Sequence, residues 1–411
     1  MGYFKDTTVG VSWVGGLRAS TRIITFIRVI ILARLLTPLQ FGVFGVASLV
    51  LAFLEVITET GINVFLIQEK KEIKHYVNDA WVVSIIRGLL ISLLIVCSSP
   101  FISTFFNSPG AQNLLLLISI VPLIRGFINP AVVKFQKELL FDKDFFLNLS
   151  VFLFDSVISV ILAFITRDAS SFVWGLIAGA LLEVAISFIL VKPTPKISFN
   201  KNNIKKIFSR GKWVTLFVIF NYFSQNGDNI IVGKILGVQP LGIYQMGYKI
   251  STLPISEVSD VANKVIFPIY SKIASDKVRL KRAFAKTMVV ITLLVLIFGG
   301  IIFFLPKSLI VFILGKDWGS IADILKILVF YGILRAISGA TASLFLALGK
   351  QNYFAAITFA RIFGLAITIV PLTIAFNLIG ASISALLSVL IELPLIGYFL
   401  YLTLYRKSNE S

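Results

Sequence analysis

Arg34-Leu35-Leu36, followed by Phe41-Gly42-Val43-Phe44, forms a motif that returns 200 positions later as Lys234-Ile235-Leu236 and Leu241-Gly242-Ile243-Tyr244. Each copy joins two long apolar stretches of sequence. A motif that recurs at half the length of a chain indicates two related halves, and such internal repeats are common in membrane transporters. The motif therefore predicts both a class of architecture and a class of function.

Two weaker echoes occur in the same order along the chain. Leu123-Ile124-Arg125 resembles Ile333-Leu334-Arg335, and the residues after Gly175 resemble those after Gly380. The polar, lysine-rich segment 192–212 separates the halves and has the composition of a solvated linker. We therefore predict an N-terminal bundle over 1–200 and a C-terminal bundle over 201–411.

The composition predicts an integral membrane protein. Hydrophobic residues make up 57% of the 411 residues, and charged residues make up only 14%, against about 25% in ordinary soluble domains. A membrane-spanning helix needs about 20 apolar residues, and about twelve stretches of that length are present. They lie near 9–33, 41–66, 80–102, 111–133, 145–166, 170–191, 213–236, 241–268, 287–306, 321–347, 353–376 and 379–405.

The net charge of +18 is explained by membrane orientation, because the basic residues are distributed unevenly. Most of the 38 lysines and arginines lie in connections on the side of the N-terminal tail, whereas the opposite connections carry only Arg34, Arg167, Lys307 and Lys316. Basic loops mark the cytoplasmic side. We therefore expect both termini to be cytoplasmic, with contact to anionic lipids and no nucleic acid. Both halves then begin on the same side, which makes them parallel repeats around a shared cavity.

Several enzyme and cofactor chemistries are excluded by residue counts. Cys97 is the only cysteine and His75 the only histidine, so the sequence contains no internal disulfide, no Cys/His zinc site and no Ser-His-Asp triad. No P-loop motif for ATP is present either. The predicted outer loops are short and poor in acids. These features predict a protein that is not an enzyme and that has no cofactor or metal.

Charged residues within the predicted spans are the candidate functional residues, because each is costly in a membrane. Arg18 and Arg22 lie one helical turn apart and share a face, which suits bidentate binding of a phosphate group. Arg125 and Arg335 occupy corresponding places in the halves and could approach the same cavity. A lipid-linked pyrophosphate fits this set. The alternative is that Asp155 or Glu183 neutralises the first pair, and ion pairs between helices explain many of the other deep charges.

Two further polar groups have open interpretations. The seventh span contains Asn226 and Asp228 in a polar stripe, which could contact sugar hydroxyls or bond across a helix interface. Acids near the predicted cytoplasmic ends of the second and eighth spans could bind a coupling H⁺ or Na⁺, form a gate or serve as structural ion pairs. These acids are Glu55, Glu59, Glu257 and Asp260.

The sequence resembles the polysaccharide-transport family of the multidrug/oligosaccharidyl-lipid/polysaccharide exporter superfamily, which includes Wzx-type flippases. The resemblance is sharpest at Leu32-Ala33-Arg34-Leu35-Leu36-Thr37-Pro38 with Phe41-Gly42, at Glu59-Thr60-Gly61-Ile62 through Ile67-Gln68, and from Asp228 to Gly237 with Leu241-Gly242-Ile243-Tyr244. It implies an all-α fold of two six-helix bundles, V-shaped around a central cavity. It also implies alternating access that moves an undecaprenyl-pyrophosphate-linked oligosaccharide to the outer leaflet.

The sequence leaves rival functions open. A cation-coupled drug or small-molecule antiporter of the same superfamily would depend on a deep acid and would not need Arg18 and Arg22. A membrane glycan polymerase or ligase would lengthen or transfer lipid-linked sugar. A more remote alternative is a scaffold whose basic loops recruit glycan-assembly proteins.

Overall fold

The computed structural model describes residues 2–59, 61–69, 72–198 and 200–404, and within them all side chains except those at 2–11, 64, 68, 201–218, 254 and 256–265. Over these residues the protein consists of helices without a β-strand. The α-helices are α1 Gly2–Leu35, α2 Pro38–Ile57, α3 Ile62–Gln68, α4 Val77–Phe105, α5 Pro109–Ile118, α6 Ile120–Arg125, α7 Lys134–Lys137, α8 Phe141–Thr166, α9 Ser170–Leu190, α10 Lys201–Leu236, α11 Val238–Lys272, α12 Lys277–Phe303, α13 Lys307–Leu314, α14 Ile321–Ala347 and α15 Gln351–Leu404. Short 3₁₀ turns lie at Ile73–His75, Pro130–Val133 and Lys316–Trp318.

The long helices coincide with the predicted spans, which confirms the all-α membrane fold. Within the described part of the chain, six helices are each long and apolar enough to cross a membrane. A seventh span is added if the bent pair Pro109–Arg125 and Pro130–Lys137 is counted as one. Other long helices, such as α1 and α10, carry more charged and polar side chains along their length. α15 is two helices joined at Asn377, whose φ of 53° and ψ of −135° lie outside the helical range.

The repeated motif marks the same structural event in both halves, the start of a second helix directly after a first. α2 is capped by Thr37, whose backbone N–H donates to Oε1 of Gln40 at 2.8 Å, and Pro38 occupies its first turn. In the second copy Gly237 precedes α11 with φ +93°, a left-handed conformation that favours glycine. The shared motif therefore marks the start of a helix in both halves.

The helices form two compact units, Met1–Phe223 and Ser224–Ser411. The sequence places the boundary between the halves at residue 200, before α10, whereas the structural division falls within this helix. Near the end of the first unit, the hydroxyl of Tyr222 donates to the Leu49 carbonyl of α2 at 2.7 Å, and its ring packs against Phe53. These contacts attach this part of α10 to the N-terminal unit.

The predicted solvated linker 192–212 is divided in the structure: 201–212 belongs to α10, and 191–198 is docked on the N-terminal unit. Asn129, fully buried, donates from Nδ2 to the carbonyls of Val191 at 3.3 Å and Pro193 at 3.2 Å. The composition therefore misses both the helical part, 201–212, and these partners, which come from distant parts of the chain. The other polar contacts are Lys134 Nζ to the Lys192 carbonyl, Lys196 N–H to Asn78 Oδ1 and Asn200 N–H to Asp79 Oδ1, each at 2.8 Å.

Replacing Asn129 with alanine is expected to loosen this segment. The change removes the bonds to the linker and leaves the N–H of Ala131, which donates to Asn129 Oδ1 at 3.0 Å, without a partner in a buried place. Such a loss costs about 2 kcal/mol. Trypsin cleavage after Lys196 should accelerate, and the thermal unfolding temperature in detergent should fall. The exposed Asn352, replaced in the same way, serves as control; equal cleavage of both variants would show that the docking is unimportant.

Candidate functional site

The N-terminal unit encloses a cavity of about 660 Å³ at one end of its helix bundle. The cavity lies where α2, α6 and α9 end and where α4 and α8 begin. The connections at this end are 58–76, 126–140 and 191–200, which belong to the basic side predicted to be cytoplasmic. Its polar lining consists of Glu55, Glu59, Asn63, Ser84, Arg87, Arg125, Asn129, Gln136, Asp144, Asn148 and Glu183.

Glycines bring α4 and α6 together along one wall of the cavity. A methyl group on Gly88 would lie 2.4 Å from the Pro122 carbonyl oxygen, and one on Gly126 would lie 3.0 Å from that of Ser84. Small residues allow this close approach of membrane helices. This close packing places Arg87 on α4 and Arg125 on α6 in the same cavity.

Arg87 holds the end of α2 in place. It forms an ion pair with Glu59 at 3.3 Å, donates to the Glu55 carbonyl at 2.7 Å and contacts the Thr58 hydroxyl at 3.3 Å. Glu59 also accepts the N–H of Gly61 at 3.0 Å, at the turn into α3. Glu59, predicted to serve in a gate or in ion coupling, thus has a structural position, and its functional role stays a prediction.

Arg125 and Glu55 form the second ion pair of the cavity. Arg125 Nη1 lies 3.4 Å from Glu55 Oε1, and both side chains keep more than a third of their surface exposed, at 39% and 35%. The Nε atom of Arg125 is buried and has no hydrogen-bond partner among the described atoms. This pair joins a residue predicted to bind cargo to one predicted to bind a coupling ion.

A second cavity of about 330 Å³ adjoins the first, and Arg125, Asn148 and Glu183 line both. No described lysine or arginine nitrogen lies within 4.0 Å of the Glu183 carboxylate, so its charge is not neutralised by a direct ion pair. Asp155, on the wall of the second cavity, forms a buried ion pair with Arg28 at 2.8 Å. The described geometry thus assigns Asp155 to Arg28.

Arg18 and Arg22 lie on the part of α1 that is level with the second cavity. α1 contacts α8 at one place through Trp13 and Phe145, with ring centroids 5.1 Å apart, and at another through Arg28 and Asp155. The two arginines fall between these contacts, which places them at the level of Asn148–Phe152, where the second cavity lies. Arg18 is half-buried and Arg22 is exposed. No described carboxylate lies within 4.0 Å of Arg18.

The C-terminal unit contains a separate buried polar network. The Asp228 carboxylate accepts the Tyr244 hydroxyl at 2.9 Å and the Asn229 N–H at 2.8 Å. Tyr248 and Tyr331 share a hydrogen bond of 2.8 Å. Nearby, Arg361 forms an ion pair with Glu392 at 3.5 Å. A void of about 10 Å³, the size of one water molecule, is lined by Arg361, Asp228, Tyr248 and Tyr331.

The remaining predicted residues belong to the C-terminal unit. Asn226 and Arg335 are half-buried in the C-terminal unit. The side chains of Glu257 and Asp260 lie outside the described residues, although their backbone belongs to α11. Arg28, Arg361 and Glu392 are among the other charges within the predicted spans, and the sequence does not indicate how they pair. Helix periodicity gives the face of a residue on its own helix but not the partner helix, so no signal in one sequence identifies these pairs.

The comparisons with known proteins agree with this architecture. The family model for the polysaccharide biosynthesis protein matches residues 31–323. The chain belongs to this family. The match confirms the resemblance drawn from the sequence and makes the protein a multi-pass membrane protein of polysaccharide biosynthesis and transport.

Three curated relatives are similar to this family member over most of its length, and two of them are named for polysaccharide biosynthesis. A membrane protein in the cps region of Klebsiella pneumoniae is 28% identical over 92% of the chain and 79% of the relative. The teichuronic acid biosynthesis protein TuaB of Bacillus subtilis is 24% identical, with coverages of 85% and 72%. The lipopolysaccharide biosynthesis protein WzxC of Escherichia coli is 23% identical, with coverages of 79% and 67%.

Solved structures show the same fold at low sequence identity. The lipid II flippase MurJ, in an inward closed conformation, is similar with a TM-score of 0.77 and 14% identity over 94% of this chain and 87% of MurJ. An inward-facing multidrug resistance MATE family transporter of the MOP superfamily gives a TM-score of 0.66 and 14% identity, with coverages of 93% and 95%. This family member therefore has the fold of that superfamily.

Proposed function

We propose that the protein moves an undecaprenyl-pyrophosphate-linked oligosaccharide, such as an O-antigen, capsule or exopolysaccharide repeat unit, from the inner to the outer leaflet by alternating access. In this proposal the protein is not an enzyme, because translocation requires no covalent change in the cargo. The observation that carries it is the position of Arg18 and Arg22 on α1, at the level of a polar cavity of the N-terminal unit. Family membership and the names of the relatives support the same cargo class.

The chemistry of these residues suits the two polar parts of such a cargo. Guanidinium groups bind phosphate oxygens with two parallel hydrogen bonds, so Arg18 and Arg22 can hold the pyrophosphate. Carboxylates and amides such as Glu183 and Asn148 offer acceptors and donors to sugar hydroxyls. In the C-terminal unit, Arg335, Asn226 and Asp228 are proposed as further cargo contacts.

The ion pair of Arg125 with Glu55 supports coupling to a cation. Binding of H⁺ or Na⁺ by the Glu55 carboxylate weakens its attraction for Arg125, and the freed guanidinium can then donate to hydroxyl groups of the cargo sugar. Cation binding and cargo binding are thereby linked, and the linkage is reciprocal. Glu59 is proposed to act together with this pair, and Glu257 and Asp260 are proposed to bind a coupling ion or to form a gate in the C-terminal unit. Glycan-assembly proteins are proposed partners at the basic loops.

The proposed location is the bacterial inner membrane, with both termini in the cytoplasm. The basic side of the chain carries the connections around the larger cavity, and basic connections face the cytoplasm. The cavity then lies at the end of the unit where a lipid-linked glycan is assembled, as the proposed direction of movement requires.

Deleting the gene tests the proposal in the cell. We expect undecaprenyl-linked glycan to accumulate in the inner leaflet while assembly of the repeat unit remains intact, and a plasmid copy of the gene should reverse the accumulation. The fold shared with a MATE transporter favours one rival, an antiporter of drugs or small cations. Unchanged glycan distribution together with new drug sensitivity in the deletion strain would support that rival and contradict the proposal.

A further inference from the structure

We infer that the cavity of the N-terminal unit receives the sugar part of the cargo and selects neutral or amino sugars over acidic sugars such as uronic acids. The inference rests on the proposed function and adds the substrate class at the cavity. Its basis is the balance of charges on the cavity wall, which is a different observation from the arginine pair on α1.

The size and polarity of the cavity suit a sugar. Its volume of about 660 Å³ lies within the range of about 300–1,000 Å³ typical of small-molecule sites. A sugar hydroxyl is both a donor and an acceptor, so a sugar site needs both kinds of group. Asn63, Gln136 and Asn148 supply amide donors and acceptors, and Glu55 and Glu183 supply carboxylate acceptors.

The wall carries more negative than positive charge. Four of its side chains are carboxylates, Glu55, Glu59, Asp144 and Glu183, and two are guanidinium groups, Arg87 and Arg125. Both guanidinium groups are already engaged by acids, Arg87 by Glu59 and Arg125 by Glu55. Asp144 and Glu183 therefore remain without a described cation within 4.0 Å.

This imbalance decides which sugars the cavity accepts. A sugar carboxylate would meet two carboxylates that no ion pair neutralises, and the repulsion is stronger in a partly enclosed cavity than in water. An acetamido or hydroxyl group carries no charge, and a protonated amine would be attracted. The pyrophosphate avoids the same repulsion because Arg18 and Arg22 lie on α1 and do not belong to the residues that line this cavity.

Proteoliposomes containing the purified full-length chain test the inference with two cargo probes. Both probes carry the same polyprenyl pyrophosphate, one bearing N-acetylglucosamine and the other glucuronic acid. We expect the wild type to translocate the neutral probe at least about 10-fold faster at low salt, with a smaller ratio at high salt because ions screen the repulsion. The variant Glu183→Gln should reduce the ratio to about 3-fold or less, whereas Glu183→Asp, which keeps the charge, should retain it.

Glu138→Gln is the matched control, because this exposed residue changes the charge equally but does not line the cavity. Its ratio should equal that of the wild type. A wild type that moves both probes at one rate, or equal effects of Glu183→Gln and Glu138→Gln, would overturn the inference and leave the proposed function standing. Failure to move either probe would instead contradict the proposed function.

Discussion

Replacing Arg18 and Arg22 together with alanine is expected to lower the translocation of lipid-linked glycan by about 100-fold or more. Each guanidinium can form charge-assisted hydrogen bonds to the pyrophosphate worth about 1.5–3 kcal/mol. The loss of both therefore costs at least about 3 kcal/mol, and each 1.4 kcal/mol corresponds to about a factor of ten. The measurement is the initial rate of transfer of fluorescent lipid-linked glycan in proteoliposomes.

Two further variants separate a phosphate site from a general effect of charge. Arg34→Ala removes an arginine near the other end of α1 and should leave the rate within about twofold of the wild type. Lysine at both positions 18 and 22 keeps the charge but loses the planar fork, so an intermediate rate is expected. If the double alanine variant transports at the wild-type rate, the main support for a pyrophosphate cargo is removed. That result is expected if the protein is an antiporter of drugs or small cations.

Replacing Gly175 with alanine is expected to destabilise the N-terminal unit by about 3 kcal/mol or more. A methyl group there would lie 1.9 Å from Ser159 Oγ and 2.6 Å from both the carbonyl and Oδ1 oxygens of Asp155. These atoms belong to α8, so α8 and α9 would have to separate. Separation disrupts the buried ion pair of Asp155 with Arg28, and breaking such a pair costs about 3–5 kcal/mol. Thermal unfolding of the purified protein, followed by size-exclusion chromatography, measures the effect.

Gly397→Ala provides the control within α15, because a methyl group at this position has no described atom within 4 Å outside its own helix. Alanine is the better helix former, so this variant should be as stable as the wild type or slightly more stable. Equal unfolding temperatures for Gly175→Ala and Gly397→Ala would contradict the close packing of α8 against α9. They would also contradict the dependence of the Arg28–Asp155 ion pair on that packing.

The helices could be predicted from sequence because apolar length and breaking residues are local signals. The predicted spans 353–376 and 379–405 leave a gap at residue 377, and Asn377 is the residue with non-helical backbone angles in α15. The repeated motif likewise predicts a helix start in each half. In the structure the first copy contains Thr37, which caps α2, and the second contains Gly237, which precedes α11. Signals of this kind depend only on neighbours along the chain.

The ion pairs could not be predicted because they depend on which helices pack together. Arg28 and Asp155 are 127 residues apart, and Arg125 and Glu55 are 70 apart. Both arginines lie within predicted spans, where a charge is costly, but several acids were equally available as partners. The docked segment 191–198 shows the same limit, since its partner Asn129 lies more than 60 residues away from it in the chain.

The central claim, that this chain carries a lipid-linked glycan across a bilayer, is tested most directly by reconstituting the purified protein in vesicles loaded with such a lipid. An impermeant reagent or enzyme that modifies the glycan only on the outer surface reports its arrival there. We predict that the modified fraction rises from about half toward completion in vesicles with the protein and remains near half in protein-free vesicles. Equal fractions in both, with the protein shown to be folded, would contradict the account.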